Sequence, residues 1–355
     1  MLKVDQKVGD NAIISRIRGY IADKSDWEQV QKVLIDHWKR DMNNTHVLFM
    51  DATCYESYIR YPTDVKLLWE SVQWIYEKAI FKCCKTLSIK RPRSKYREQK
   101  QKQRAYDFRR KKTFNQGQKR IKSLIYLLEK GLGQLQQILN SYPDLSLCSH
   151  DYSYIRTIKK VFEQQKFMLI HNVKEVADRI VSLPKPYIRP IVRGKENKRV
   201  EFGMKVHMMQ VDGICIIDQL SFNAFNECKR LKLSTIKHKI LFGECNQLGA
   251  DRIYATNENR RYLTDKKVFT CFPKKGPKSY TKQEEKLRSA IAKERSTVTE
   301  GSFGTQKVSY GLQKIKAKRA ETEVVWMFFG VMTANAVKIS HRRQTRTKEK
   351  LKQAA

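Results

Sequence analysis

The chain lacks most of the features that would assign it to a class at once. No apolar run is long enough to cross a bilayer. The longest, VVWMFFGVMTANAVKI at Val324–Ile339, is interrupted by Thr333, Asn335 and Lys338 and reads as a buried core helix. The first ten residues, MLKVDQKVGD, hold no apolar signal core. Cys54, Cys83, Cys84, Cys148, Cys215, Cys228, Cys245 and Cys271 form no CxxC pair, and most stand in apolar stretches. That spacing argues against a disulfide framework or a zinc site and for reduced thiols in the cytosol. Acidic residues are scarce as well: 36 Asp and Glu face 72 Lys and Arg, a formal charge of +36. Such an excess repels itself in a compact fold and calls for a polyanionic partner, nucleic acid before an anionic membrane.

What is present is a globular composition, 41% hydrophobic in 355 residues, enough for two domains or one domain with an insertion. Residues 1–44 have helical spacing (Ile13, Ile14, Ile17, Ile21, then Trp27, Val30, Leu34, Trp38). THVLFMDATCYESYIRYPTD follows. Its strand, Val47–Met50, is expected to end on Asp51. A buried carboxylate is costly unless it is paired or binds metal. A turn aspartate is the plainer reading; a carboxylate at a strand edge, pointing into a crevice, is the functional one. Thr63 caps a helix expected over 64–85.

Residues 90–120 then change character, with 14 Lys/Arg against 2 acids, interleaved with Tyr96, Tyr106, Phe108 and Phe114. The segment reads as a solvated charged arm or as a surface that tracks phosphates. Two amphipathic helices, about 119–140 and 154–180, complete a helical block over 64–182. From 183 the period alternates. Two strands, about 200–210 and 213–220, are joined at Asp212-Gly213, a hairpin signal. A helix near 224–233, the stretch GADRIYATNENRRYL, a short strand at 268–272 and helices from 283 onward follow. The order predicts a mixed α/β sheet with flanking helices and a large all-helical insertion after the first strand. The segments are 1–44, 45–63, 64–182, 183–340 and a basic tail, 341–355.

Three acids stand at places where metal-dependent phosphoryl transfer would need them. Asp51 is on the first strand, Asp251 lies in GADRIY before a turn, and Glu300 lies in VTEGSFGTQKVSYGL at a helix start. Carboxylates from separate elements can surround hard cations as one element cannot. Four blocks in order, MDATCYESYIRYPTDVKLL, IRPIVRGKENKRVEFGMKV, ADRIYATNENRRYL and ERSTVTEGSFGTQKVSYGLQKIKAK with WMFFGVMTANAV, resemble bacterial insertion-sequence DDE transposases with a ribonuclease H-like catalytic core. The resemblance implies that Asp51, Asp251 and Glu300 are the metal-binding catalytic triad. Lys307, seven places after Glu300 and close to two helical turns on, would contact phosphate; Arg295, Arg260 and Arg261 are further candidates for DNA contact. The related pattern Y-(two)-R-(three)-E would place tyrosine at 293 and arginine at 296. Lys293 and Ser296 stand there, with Arg295 one place early, and the tyrosine role is vacant or filled elsewhere.

The resemblance further implies two Mg²⁺ (or Mn²⁺) ions, roughly 3.5–4 Å apart, that serve strand cleavage and strand transfer. The partners would be double-stranded DNA, both terminal inverted repeats and target. A homodimer would form the synaptic complex. The location would be the bacterial cytoplasm, at the nucleoid, with no membrane. Family members usually carry a fuller helical domain before KVGDNAIISRIRGYI, so residues 1–44 are expected to be the remnant of a DNA-binding domain. Two other readings stay open: a truncated or inactive copy that binds DNA without cleaving it, and a basic nucleic-acid-binding protein with no chemistry.

Overall fold

The computed structural model describes residues 12–192, 200–276 and 280–354. The expectations for residues 1–11 and for the connector at 193–199 lie outside them. The chain divides into two compact units, one built from 1–58 and 191–355 and the other from 59–190.

The first unit opens with helices α1 (Ile13–Lys24) and α2 (Trp27–Trp38) and strand β1 (Val47–Ser57). The second unit intervenes, and the sheet resumes with β2 (Pro190–Val192), β3 (Val200–Val211) and β4 (Ile214–Ser221). After these come α8 (Leu231–Phe242), β5 (Gln247–Ala250), α9 (Asn257–Asp265), β6 (Phe269–Thr270), α10 (Lys282–Glu294), α11 (Glu300–Ser309), β7 (Lys314–Ile315) and α12 (Ala320–Ala354). The mixed α/β class is as expected, and among the described residues the sheet has seven strands.

β1 is central. It pairs antiparallel with β3, parallel with β5 and, near its end, parallel with β7. The β3–β4 hairpin turns at Asp212 and Gly213, both at positive φ (48° and 75°), as a two-residue turn matched to strand twist requires. The edge of β4 away from β3 is closed by two amides. Gln31 exchanges bonds with Ile217 N and O (2.7 and 2.9 Å), and Asn335 with Cys215 N and O (2.9 and 2.7 Å). Such bonds satisfy an edge that would otherwise template pairing with another chain.

β1 is longer than expected. It does not end on Asp51 but continues to Ser57, and the Asp51 side chain is 20% exposed. Its residues are buried on both faces, so the alternation that marks a half-buried strand is missing from ATCYES. Met50, Ala52 and Cys54 lie under 5% exposed, as does Tyr55. The predicted core helix is the first half of α12, whose Met327, Phe328, Val331, Met332 and Ile339 join the main core. Residues 341–354, set apart in the sequence as a basic tail, continue this helix. Arg343 and Arg346 hold the buried Asp41 (2.7 and 3.3 Å), and Arg342 holds Asp212 (2.9 Å).

The second unit is helical: α3 (Asp64–Trp74), a π turn (Ile75–Ala79), α4 (Ile80–Thr86), α5 (Tyr96–Phe108), α6 (Phe114–Ser141) and α7 (Ser149–Ile170). Thr63 caps α3 through Lys66 N–H (3.3 Å), as expected. The basic segment 90–120 divides its aromatics. Tyr96 stacks on Trp69 and Tyr76, and Tyr106 packs on the core, while Phe108 and Phe114 are exposed. Among the described residues no helix is long and apolar enough to cross a membrane.

Gly203 is where β3 passes β1 most closely. A Cβ there would stand 2.1 Å from the Tyr55 carbonyl oxygen and 2.7 Å from Glu56 Cα. Backbone cannot yield to it, so Gly203→Ala should destabilise the first unit by about 3 kcal/mol. Gly133→Ala on α6, where a Cβ meets nothing within 4 Å, should instead raise stability by about 0.5–1 kcal/mol. Urea melts of the two variants beside wild type check both signs.

Candidate active site

Asp51 and Asp251 come together through strand pairing. Met50 is the register partner of Ala250 on the parallel neighbour β5, so the two aspartates are the next residues on strands about 4.8 Å apart. They part there, because β5 ends at Ala250 while β1 runs on. Asp251 caps the 3-10 turn Arg252–Tyr254, and its Oδ1 accepts from Arg252 N (2.6 Å). Asp51 Oδ1 accepts from Ala52 N (2.8 Å), and its Oδ2 faces the Arg295 guanidinium at 3.7 Å.

Burial pushes the Asp51 carboxyl up to about 6. The Ala52 N–H and the Arg295 charge oppose that rise, and the negative charges of Glu227 and Asp251 add to it. A carboxyl lifted by enclosure, with further carboxylates adding to the rise, is one pattern that functional sites use.

A helical layer crosses this part of the sheet: α10, a π turn at Arg295–Thr299, then α11. Three bonds fix it. Arg295 faces Asp51; Gln210 on β3 accepts from Thr299 Oγ1 (3.0 Å) and donates to Ser302 Oγ (2.8 Å); and the Tyr55 hydroxyl bonds Gln306. Glu300 lies between the two anchors of Gln210. It is exposed, at the first position of α11. Lys307 shares its flank of the helix, and its ammonium stands 5.8 Å from the centre of the Tyr55 ring on β1.

The π turn bears on the misplaced arginine. An α-helix advances about 100° per residue, so a residue five places on lies roughly 140° away. The i→i+5 closure of a π turn brings that residue back over the first. Arg295 and Glu300, five apart, thereby regain the facing that a four-residue spacing has in an ordinary helix. Position 292, the tyrosine position in this register, is Ala292.

Not every candidate is gathered. Among the described residues no three His, Cys, Asp or Glu side chains stand close enough together to hold a metal ion, so Asp51, Asp251 and Glu300 do not converge on one point. Two carboxylates on neighbouring strand positions are hard oxygen donors of the kind Mg²⁺ prefers. Arg260 is occupied within its own loop, donating to Ala255 O (3.0 Å) and Pro273 O (2.7 Å). Arg261, the next residue, is exposed.

Sequence reasoning missed several groups here. Glu227 opens a 3-10 turn ahead of α8. Gln210 lies on an expected strand, and nothing in its spacing marks its bonds to Thr299 and Ser302. His207 is fully buried and bonds Asp218 (2.9 Å). Burial alone would raise the Asp218 carboxyl, but bonds from His207, Arg230 and Ser234 outweigh it and hold that carboxyl well below the usual range. Comparison with protein-family models, curated proteins and solved structures returned no match for this chain.

The lifted Asp51 carboxyl has a consequence for stability. The unfolded chain releases this proton near 3.8 and the folded chain near 6. Stability from this group is therefore fullest below pH 3.8, falls as pH rises to about 6, and is level above. The loss amounts to about 3 kcal/mol. Asp51→Asn, melted in metal-free buffer, should be more stable than wild type at pH 7 by up to that amount. The difference should vanish near pH 4, and no gain at pH 7 would count against an enclosed carboxyl with a raised pKa.

Proposed function

We propose that the chain is a DDE transposase of insertion-sequence type, carrying out metal-dependent DNA strand cleavage and strand transfer on a ribonuclease H-like core. The observation that carries the reading is the placement of Asp51 and Asp251 side by side where two parallel strands part, under the helical layer that bears Glu300 and Lys307. The mixed sheet, with a helical unit inserted after its first strand, agrees with it. So does the net charge of +36, which suits DNA in both roles, terminal repeat and target.

In this reading Asp51 and Asp251 would hold a divalent cation, with Glu300 drawn in when DNA is bound. When bound, Mg²⁺ or Mn²⁺ would supply charge neutralisation at the scissile phosphate and acidify an attacking water. The chain's own residues orient the rest. Gln210 fixes the start of α11 through Thr299 and Ser302. Arg295 offsets the charge of Asp51 before the cation arrives. Lys307 is placed on the Glu300 flank to meet a phosphate. Synapsis of two ends implies a homodimer, and a DNA-bound life implies the bacterial nucleoid. A second reading, a copy that binds DNA without cleaving it, draws on the dispersed position of Glu300.

Mg²⁺-dependent nicking of DNA flanking the gene's own coding sequence tests the choice. Wild type should nick, and Asp51→Asn and Glu300→Gln should lose at least about 100-fold in rate while still binding DNA. Nicking by either variant at the wild-type rate removes that residue from the triad. Binding without nicking by all three favours the second reading.

The basic segment of the inserted unit gives an independent test. Deleting 90–120 would remove Tyr96 from its stack and unfold the unit, so charge is the better target. Arg109, Arg110 and Lys111 are exposed on the turn between α5 and α6. Changing all three to Gln should reduce the slope of log K against log salt by about 2–3; an unchanged slope would remove this turn from the DNA path.

A further inference from the structure

We propose that the turn between α5 and α6, with Phe108 and Phe114 on either side of it, binds single-stranded DNA, the rings stacking on bases while the cations between them hold phosphates. The inference rests on the reading of DNA as the partner. It does not depend on Asp51, Asp251 or Glu300.

The chain reads FRRKKTF over 108–114. Phe108 ends α5 and Phe114 begins α6, and they are 84% and 67% exposed. Arg109, Arg110, Lys111 and Lys112 lie between them, all exposed. A phenylalanine ring left in water forgoes about 1.5–3 kcal/mol of burial. Other rings of the same segment are covered: Tyr96 and Tyr106 pack on the helical core. The two helix ends are also held in place. Buried Arg120 on α6 donates to Gln99 and Gln103 on α5 (2.7 and 3.0 Å), and Gln103 donates on to Asp107 (3.0 Å). Thr113 caps α6 by accepting from Gln116 N (3.3 Å). Two exposed rings at helix ends fixed in this way, with four cations between them, have the make-up of a stacking platform for a nucleic-acid strand.

The cleft behind Phe114 favours a single strand over a duplex. Phe114, Gln118 and Ile121 follow one face of α6 at spacings of four and three. With Tyr106, Asp107 and Asp64 they line a cleft of about 510 Å³, within the range of small-ligand pockets. A ring on the wall of a cleft can receive a base, whereas a ring that wedges into a duplex must protrude. The walls also sort the parts of a nucleotide. The carboxylates of Asp64 and Asp107 disfavour a phosphate, but a carboxylate can accept from the exocyclic amine of a base. Asp64 already accepts from Arg179 (2.5 Å) and Gln165 (2.7 Å), so its charge is balanced before any ligand enters. The cations stand outside, on the turn, and Lys112 at the mouth lies 5.6 Å from the centre of the Tyr106 ring. Base inward and phosphate outward is an arrangement open to an unpaired strand. In a duplex the base faces are covered and the pairing edges are taken.

Fluorescence anisotropy of a labelled, mixed-sequence single strand and of its duplex tests the assignment on the full-length chain. Phe108→Ala and Phe114→Ala should each weaken binding of the single strand at least about 5-fold and leave duplex binding unchanged. The slope of log K against log salt should stay at its wild-type value in both, because stacking releases no counterions. Phe114→Tyr should keep the affinity for the single strand, and Phe114→Leu, apolar but without a ring, should lose it. Wild-type affinity for the single strand in both alanine variants, with nicking intact in wild type, overturns the inference alone. Equal losses on strand and duplex overturn it in favour of a wedge within duplex DNA. Tighter binding of the same sequence as RNA overturns the choice of DNA. A wild type that binds neither strand nor duplex overturns both the inference and the transposase reading beneath it.

Discussion

A carboxylate in the middle of a strand covered on both faces is the constraint around which the first unit is arranged. Burial makes ionised Asp51 unfavourable, and the fold tolerates it by bringing Arg295 to 3.7 Å without closing a tight ion pair. The Ala52 N–H and the Arg295 charge both favour the ionised form and oppose the effect of burial. The intermediate distance keeps the carboxyl near 6, where a cation can convert it fully to the charged form. The helical layer, its anchoring by Gln210 and the close passage of β3 at Gly203 all follow from holding that strand and that arginine in one register.

The positive charge of the chain is less uniform in purpose than its sum suggests. Arg343 and Arg346 close on buried Asp41, Arg342 on Asp212, and Arg120 on Gln99 and Gln103. Arg260 is spent on two backbone carbonyls. These guanidiniums satisfy buried acceptors and hold distant segments together, so their removal would cost packing before it cost DNA affinity. Exposed cations such as Arg109, Arg110 and Lys111, on the turn between α5 and α6, are better placed to meet phosphate. A count of Lys and Arg identifies the class of partner; it does not locate the path.

Much of the scaffold was legible in the sequence because it rests on local rules. Asp212-Gly213 specified its hairpin, Thr63 its cap, and the three-and-four spacing of leucines the long helices. The extent of β1 was not legible, because a strand buried on both faces shows no alternation, and ATCYES reads as a turn after a terminal aspartate. The cluster around Asp218 was not legible because its four partners, His207, Arg230, Ser234 and Lys237, are scattered over 30 positions. Of the candidate site, the pairing of Asp51 with Asp251 could be anticipated from two strand-edge aspartates. The hold of Gln210 on Thr299 and Ser302 could not, since those residues lie far from it in the sequence.

Arg295 shows why spacing alone misleads. Read by number, it stands one residue out of place, and the motif looks damaged. Read by face, the π turn absorbs the extra residue, and Arg295 reaches Asp51 while Glu300 stays at the head of α11. A one-residue insertion within a helix normally rotates everything beyond it by about 100°. Here the insertion is confined to five residues, and Thr299, the last of them, and Ser302 just beyond are clamped by Gln210. That clamp is what makes the π geometry worth keeping: relaxing it to a regular helix would turn either Arg295 away from Asp51 or Thr299 away from Gln210. The same clamp sets where Glu300 begins. The freedom left to that glutamate is its own side chain, and its reach toward Asp51 is then decided by what binds between them.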